Sequence, residues 1–171
     1  MSRELAERAA AIVRDAGGQI VGRTRLQKTA YLLFITGLES DFRFVYKHYG
    51  PFSEDLAASA EDAALLHLMS ETEQQASWGG TYSVYRSNVL DQTADHGPRR
   101  ALAEEAARAN AIELELAATA AFLALDGYSD PWAETARRKP EKSEGDRIEK
   151  AKVLYKRLSQ IETPVKMPAI V

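Results

Sequence analysis

The chain of 171 residues contains no cysteine. That absence removes disulfides, thiolate nucleophiles and cysteine-based zinc sites together, and it fits a reducing compartment. Long apolar runs are missing too. No stretch nears the roughly 18 residues that cross a bilayer, and Met1-Ser2-Arg3-Glu4 is not followed by the apolar segment of a signal peptide. A cytoplasmic protein is expected. Between Lys47 and Arg86 there is no Lys or Arg, while Glu54, Asp55, Glu61, Asp62, Glu71 and Glu73 all fall in that interval. With 22 cationic residues against 25 acidic ones, the formal net charge of −3 gives no general pull toward a polyanion.

The usual signatures of catalysis are missing as well. Gly17-Gly18 and Gly79-Gly80 are too short for a phosphate-binding loop, and no G-x-S-x-G elbow occurs. His48, His67 and His96 stand apart on a strand, a helix and a loop, without the spacing that metal ligands share. Paired carboxylates such as Glu54-Asp55 and Glu104-Glu105 read as solvated helix faces, and Ser53 as a helix cap rather than a nucleophile. The chain is read as non-enzymatic, with no cofactor and no metal.

What is present is enough apolar material, 45% of residues, for a real core. In residues 2–16, Leu5, Ala9, Ile12 and Val13 share a helical face, Ser2 can cap it, and Gly17-Gly18 stop it. Thr24 can cap a second helix carrying Leu26, Ala30 and Leu33, widened by Tyr31, Phe34 and Leu38. DFRFVYKHYG alternates as a half-buried strand does and is expected to end at Gly50-Pro51. Ser53 then caps a helix to about His67, with His67 on its inner side. Residues 69–86 read as a β-hairpin turning at Gly79-Gly80, and 88–98 as a connecting loop. An alanine-rich helix is expected over 99–125, with small side chains that could also support a homodimer. A helix starting at Asp130-Pro131-Trp132 and another over about 145–160 follow.

The order predicts a mainly α (α+β) fold. Its parts are a winged-helix-like core with a β-hairpin over 1–90, C-terminal helices over 99–161 packed on that core, and a loose tail over 162–171. In a winged helix the helix before the hairpin would enter the major groove, yet here that helix and hairpin are acidic and would repel phosphate. DNA contact would have to use Arg23, Arg25, Lys28, Arg43 and Lys47, or the cluster Arg137, Arg138, Lys139 and Lys142.

Two stretches, RTRLQKTAYLL and YKHYGPFSEDL, contain the forms R-x-x-L-Q-K-x-x-Y-x-L and Y-G-P-F-S-x-x-L. Through Arg25, Leu26, Gln27, Lys28, Tyr31, Leu33, Tyr49, Gly50, Pro51, Ser53 and Leu56 the chain resembles the Panacea group of bacterial antitoxin domains, which includes SocA-like antitoxins. The likeness is strongest to small stand-alone relatives of the YwgA type, which LALDGYSDPW and RRKPEK also resemble. It is good over about residues 20 to 70, weaker around 115 to 160 and absent from the hairpin. Tyr46-Lys47-His48 stands where typical members have a more aromatic segment. The resemblance implies a helical bacterial domain that acts by binding a protein, a toxin or a protease component, with a winged-helix DNA-binding regulator as the alternative. Gln27 and Lys28 are expected to reach the Y-G-P turn or a partner, and Gly50, Pro51 and Ser53 to form a folding joint. Arg23, Arg25, Gln27, Lys28, Tyr31, Tyr46 and Tyr49 are the candidate partner-binding residues.

Overall fold

The structure, a computed structural model, describes residues 2–88 and 97–170. Helix α1 (Arg3–Asp15) starts where Ser2 accepts the Leu5 N–H at 3.3 Å, and it buries Ala9, Ile12 and Val13. A short strand that the sequence reading missed, β1 (Gln19–Val21), follows the glycines. Three residues are too few for an alternation signal to register. Helix α2 (Arg23–Ile35) begins one residue before Thr24, on Gly22 at φ +92°, and no side chain caps it. The expected cap at Thr24 is therefore corrected, since Gly22 already makes the turn out of β1.

DFRFVYKHYG does not form one strand. Val45–Lys47 is β2, the chain turns at His48-Tyr49, and Gly50–Phe52 returns as β3 with Lys47 opposite Gly50 and Tyr46 opposite Pro51. Gly50-Pro51 opens the second strand instead of closing the first. Helix α3 (Glu54–Leu65) is capped as expected, the Ser53 hydroxyl accepting from Leu56 N–H at 3.1 Å. His67 lies beyond it at φ +59° with an exposed side chain, so its inward placement is corrected. Strands β4 (Met69–Gln75) and β5 (Thr81–Ser87) form the hairpin, and the three-stranded sheet runs β1-β5-β4. Helix, strand, two helices and hairpin follow one another as in a winged helix, with β2–β3 inserted between α2 and α3. Residues 89–96, most of the expected connecting loop together with His96, lie outside the described residues.

The alanine-rich segment is two helices, α4 (Pro98–Arg108) and α5 (Ala111–Leu125). Ala109 is extended, and Asn110 caps α5 by accepting from the N–H groups of Ile112 and Glu113. An Asn cap in mid-segment outcompetes the run of good helix formers around it. Ala103, Ala106, Ala117, Ala118, Ala120 and Ala121 are buried within the chain, so these small faces are used internally rather than kept for a second copy. Helix α6 (Pro131–Arg138) is capped by Asp130 and α7 (Arg147–Ser159) buries Ala151, Leu154, Tyr155 and Leu158. Among the described residues one core runs through all seven helices.

The tail is not loose. Val165 N–H donates to Thr36 O at 2.9 Å, the Tyr155 hydroxyl donates to Pro168 O, and Met167 is 8% exposed. Gly37 at φ +79° leaves the room that Pro164 and Val165 fill. Among the described residues no helix is long and apolar enough to cross a membrane.

Candidate functional site

Two neighbouring arrangements collect the candidate residues. The first is a buried joint around the Y-G-P turn. The Gln27 amide donates to Ser53 O and accepts from Ser53 N–H, both at 2.9 Å, which pairs a backbone position as a strand would. The Lys28 amine donates to Pro51 O at 2.8 Å. Gly50, at φ +91°, comes so close to α5 that a Cβ there would stand 2.5 Å from the Thr119 hydroxyl oxygen. Lys28 is 1% exposed, and burial pulls its pKa down to about 7. Glu115 opposes that shift, while Lys139 and Lys142 add to it. Those two amines converge on the buried Glu115 carboxylate at 3.0 and 2.7 Å, and Lys139 also donates to His48 O at 3.2 Å. Lys139 and Lys142 share one carboxylate, while Lys28 and Lys139 hold backbone carbonyls of the turn.

Gln27 and Lys28 thus reach the Y-G-P turn, as one of the two expectations for them had it. Buried there, neither offers an atom to a partner's surface. Tyr31 is also core, 2% exposed and edge-on to Phe44 at 5.3 Å, with its hydroxyl pKa raised by burial. Tyr46 packs on Phe122 and under the Arg138 guanidinium, 4.8 Å from the ring centre. Of the cations along residues 23–47, Lys47 is paired with Glu54 and Arg23 lies 3.7 Å from Glu71.

The second arrangement is an open cleft of about 810 Å³ between the first turn of α2 and the inner side of the hairpin. Arg23, Arg25 and Tyr49 line one wall, Trp78, Tyr82 and Glu73 the other. The hairpin tip explains Trp78. Ala76 N–H donates to Gly80 O and Gly79 N–H to Ala76 O, so the loop is Ser77-Trp78-Gly79 with Gly79 at φ +95°. This three-residue turn replaces the two-residue Gly79-Gly80 turn expected from sequence, and it puts the indole at the tip, folded over Gly80. Trp78 is 75% exposed and Tyr49 59%.

Arg25 sets the charge of the cleft. Its guanidinium donates to Ala109 O at 2.9 Å and Val21 O at 3.1 Å, and burial lowers its pKa. Among the described residues no carboxylate comes within ion-pair distance of it. The first turn of α2 has no side-chain cap and no acidic residue, so its N–H groups and two arginines present one sign of charge. The sequence reading named Arg23, Arg25 and Tyr49 but missed Trp78, Tyr82, Glu115 and Thr119. A lone Trp between small residues and a glycine pair was the available signal for the tip.

No family model, curated protein or solved structure matches this chain. The likeness to the Panacea group therefore stands on the residues quoted for it alone.

Proposed function

We propose that the chain is a non-enzymatic, cytoplasmic protein-interaction module of the bacterial antitoxin or defence-associated regulatory type, needing no cofactor and binding its protein partner in the cleft between α2 and the hairpin. The observation that carries this reading is the pairing of two exposed aromatics, Trp78 and Tyr49, with a partly buried Arg25 that has no carboxylate partner among the described residues. Aromatic and arginine side chains at the centre of a concave surface are the groups that anchor protein interfaces. The Panacea-like residues add support by holding Tyr49 on the rim. DNA binding through residues 23–47 has less behind it, because Lys28 is buried and Lys47 and Arg23 are near carboxylates.

The test is affinity capture of the tagged chain from its host, wild type against Trp78→Ala/Tyr49→Ala. Both side chains are exposed, so the variant keeps its fold by circular dichroism. The reading expects one specific protein that the variant loses. It falls if no protein is lost, or if nucleic acid is what the wild type retains.

A further inference from the structure

The sheet is incomplete where it meets the cleft. Strand β1 pairs only with Val84, Tyr85 and Arg86, whereas β5 begins at Thr81. The hydrogen bonds of an antiparallel ladder alternate sides along a strand. Ala76 N–H donates to Gly80 O at 2.8 Å, which assigns the even-numbered residues of β5 to β4. Gly22 N–H donates to Ser83 O at 2.7 Å and Ser87 N–H to Gly18 O at 2.9 Å, which assigns the odd-numbered ones to β1. At Gly22 the chain leaves the sheet for α2, and the Gly22 carbonyl turns to Leu26 N–H at 3.2 Å. Both backbone groups of Thr81 and the N–H of Ser83 consequently face a lane with no strand in it, and Thr81 and Ser83 line the cleft.

We infer that the partner enters this lane as an extended acidic segment, adding a short strand to β5 in line with β1. Main-chain bonds to Thr81 and Ser83 supply affinity without regard to sequence, as in other strand additions. Charge selects the segment. At the α2 end the lane meets Arg23, Arg25 and the uncapped helix start, which favour a carboxylate. Toward the hairpin tip it meets Glu73 and Trp78, which disfavour a second carboxylate and favour an apolar or aromatic side chain. The bound segment therefore carries its acidic residue beside α2 and its apolar residue beside Trp78. Glu71, on the same face of the hairpin as Ser83, accepts from the Ser83 hydroxyl at 2.8 Å and lies 3.7 Å from Arg23, which offsets Arg23 and leaves Arg25 as the cation for the ligand.

This inference rests on the protein-binding reading above, and its test separates the two. A random dodecapeptide library displayed on phage is selected against the intact chain, and the best synthetic peptide is titrated while amide hydrogen exchange is followed by NMR. Acidic peptides are expected, with slowed exchange at Thr81 and Ser83. Two variants read the two halves. Thr81→Pro removes an N–H that β4 does not use, and Arg25→Gln removes the charge; each is expected to weaken binding about tenfold, the loss of one hydrogen bond to a peptide or a carboxylate. Peptides without acidic residues, no enriched peptide, unchanged exchange at Thr81 and Ser83, or tighter binding of a labelled DNA duplex in the same cleft each overturn strand addition. If the capture experiment still yields a partner that Trp78→Ala/Tyr49→Ala loses, protein binding stands and only its strand geometry has failed.

Discussion

The buried Lys28 amine makes the stability of this chain depend on pH in an unusual direction. In the unfolded chain the amine keeps its proton to its ordinary value of 10.5, whereas in the fold burial brings that value to about 7. Between those limits the unfolded state binds the extra proton, so stability rises with pH. Below about pH 7 both states hold the proton and the fold bears the whole cost of a buried ammonium. Going from about pH 7 to about pH 9, Lys28 alone adds about 2 kcal/mol, since a full proton is worth ~1.4 kcal/mol per pH unit and the fold is half titrated at the start. A neutral amine still donates to Pro51 O, so the joint is kept. The groups around it are Glu115, Lys139 and Lys142, and Lys139 is itself shifted down by burial. The clean readout is therefore the difference between wild type and Lys28→Met in urea denaturation followed by circular dichroism. Met fills the stem's volume but leaves Pro51 O without a donor, costing about 1–3 kcal/mol at every pH. Wild-type stability should climb across the interval and the variant's should climb by about 2 kcal/mol less. Parallel profiles would refute the account of Lys28 as a buried amine that loses its proton near neutrality.

Three further outcomes follow from packing. Gly50→Ala should cost about 3 kcal/mol in denaturant unfolding, combining a positive φ with a clash at Thr119, and adding Thr119→Ala should recover the steric part but not the backbone part. Arg99→Met should cost about 3 kcal/mol near neutral pH, because Arg99 bonds Asp15 at 2.6 Å, Glu39 at 3.1 Å and the Leu38 carbonyl, and both carboxylates are buried. Burial alone would raise the Glu39 pKa, yet Arg99 and Arg8 together hold it below its ordinary value, so this stability is present above about pH 4.5 and lost as pH falls through the lower folded value; the gap between variant and wild type should narrow in acid. Removing residues 164–171 should lower stability by about 2–3 kcal/mol in thermal or urea melts, through Met167 burial and the Val165 bond to Thr36.

Helices with regular apolar spacing and a capping residue were legible in the sequence: α1, α3, α6 and α7 have the expected caps or buried faces. What was not legible depended on partners distant in sequence. The return of Gly50–Phe52 as a strand needs Gln27 and Lys28 to seize the Ser53 and Pro51 backbone, and no local pattern announces a side chain twenty-odd residues away. The break at Ala109-Asn110 was hidden because alanine favours helix on both sides, although Asn110 was a cap in plain view. The tail's prolines read as loose chain because the groove that holds them, at Thr36 and Gly37, belongs to another element. For the cleft, the arginines and Tyr49 could be named, but the free lane beside β5 is a property of where β1 stops.

The joint and the cleft meet in one residue. Tyr49 sits between His48, whose carbonyl Lys139 holds, and Gly50, which is pressed against Thr119, and the Lys142 amine lies 4.6 Å from its ring centre. Every group that fixes the Y-G-P turn therefore also fixes the position of an exposed aromatic on the cleft rim. Residues such as Gln27, Lys28 and Glu115 act on binding by holding that rim and have no surface of their own to offer. This division accounts for a motif that looks functional in the sequence and is buried in the fold. It also implies that substitutions in the joint and at the tip reduce binding for different reasons. Those in the joint do so along with stability, while those at Trp78 leave stability unchanged.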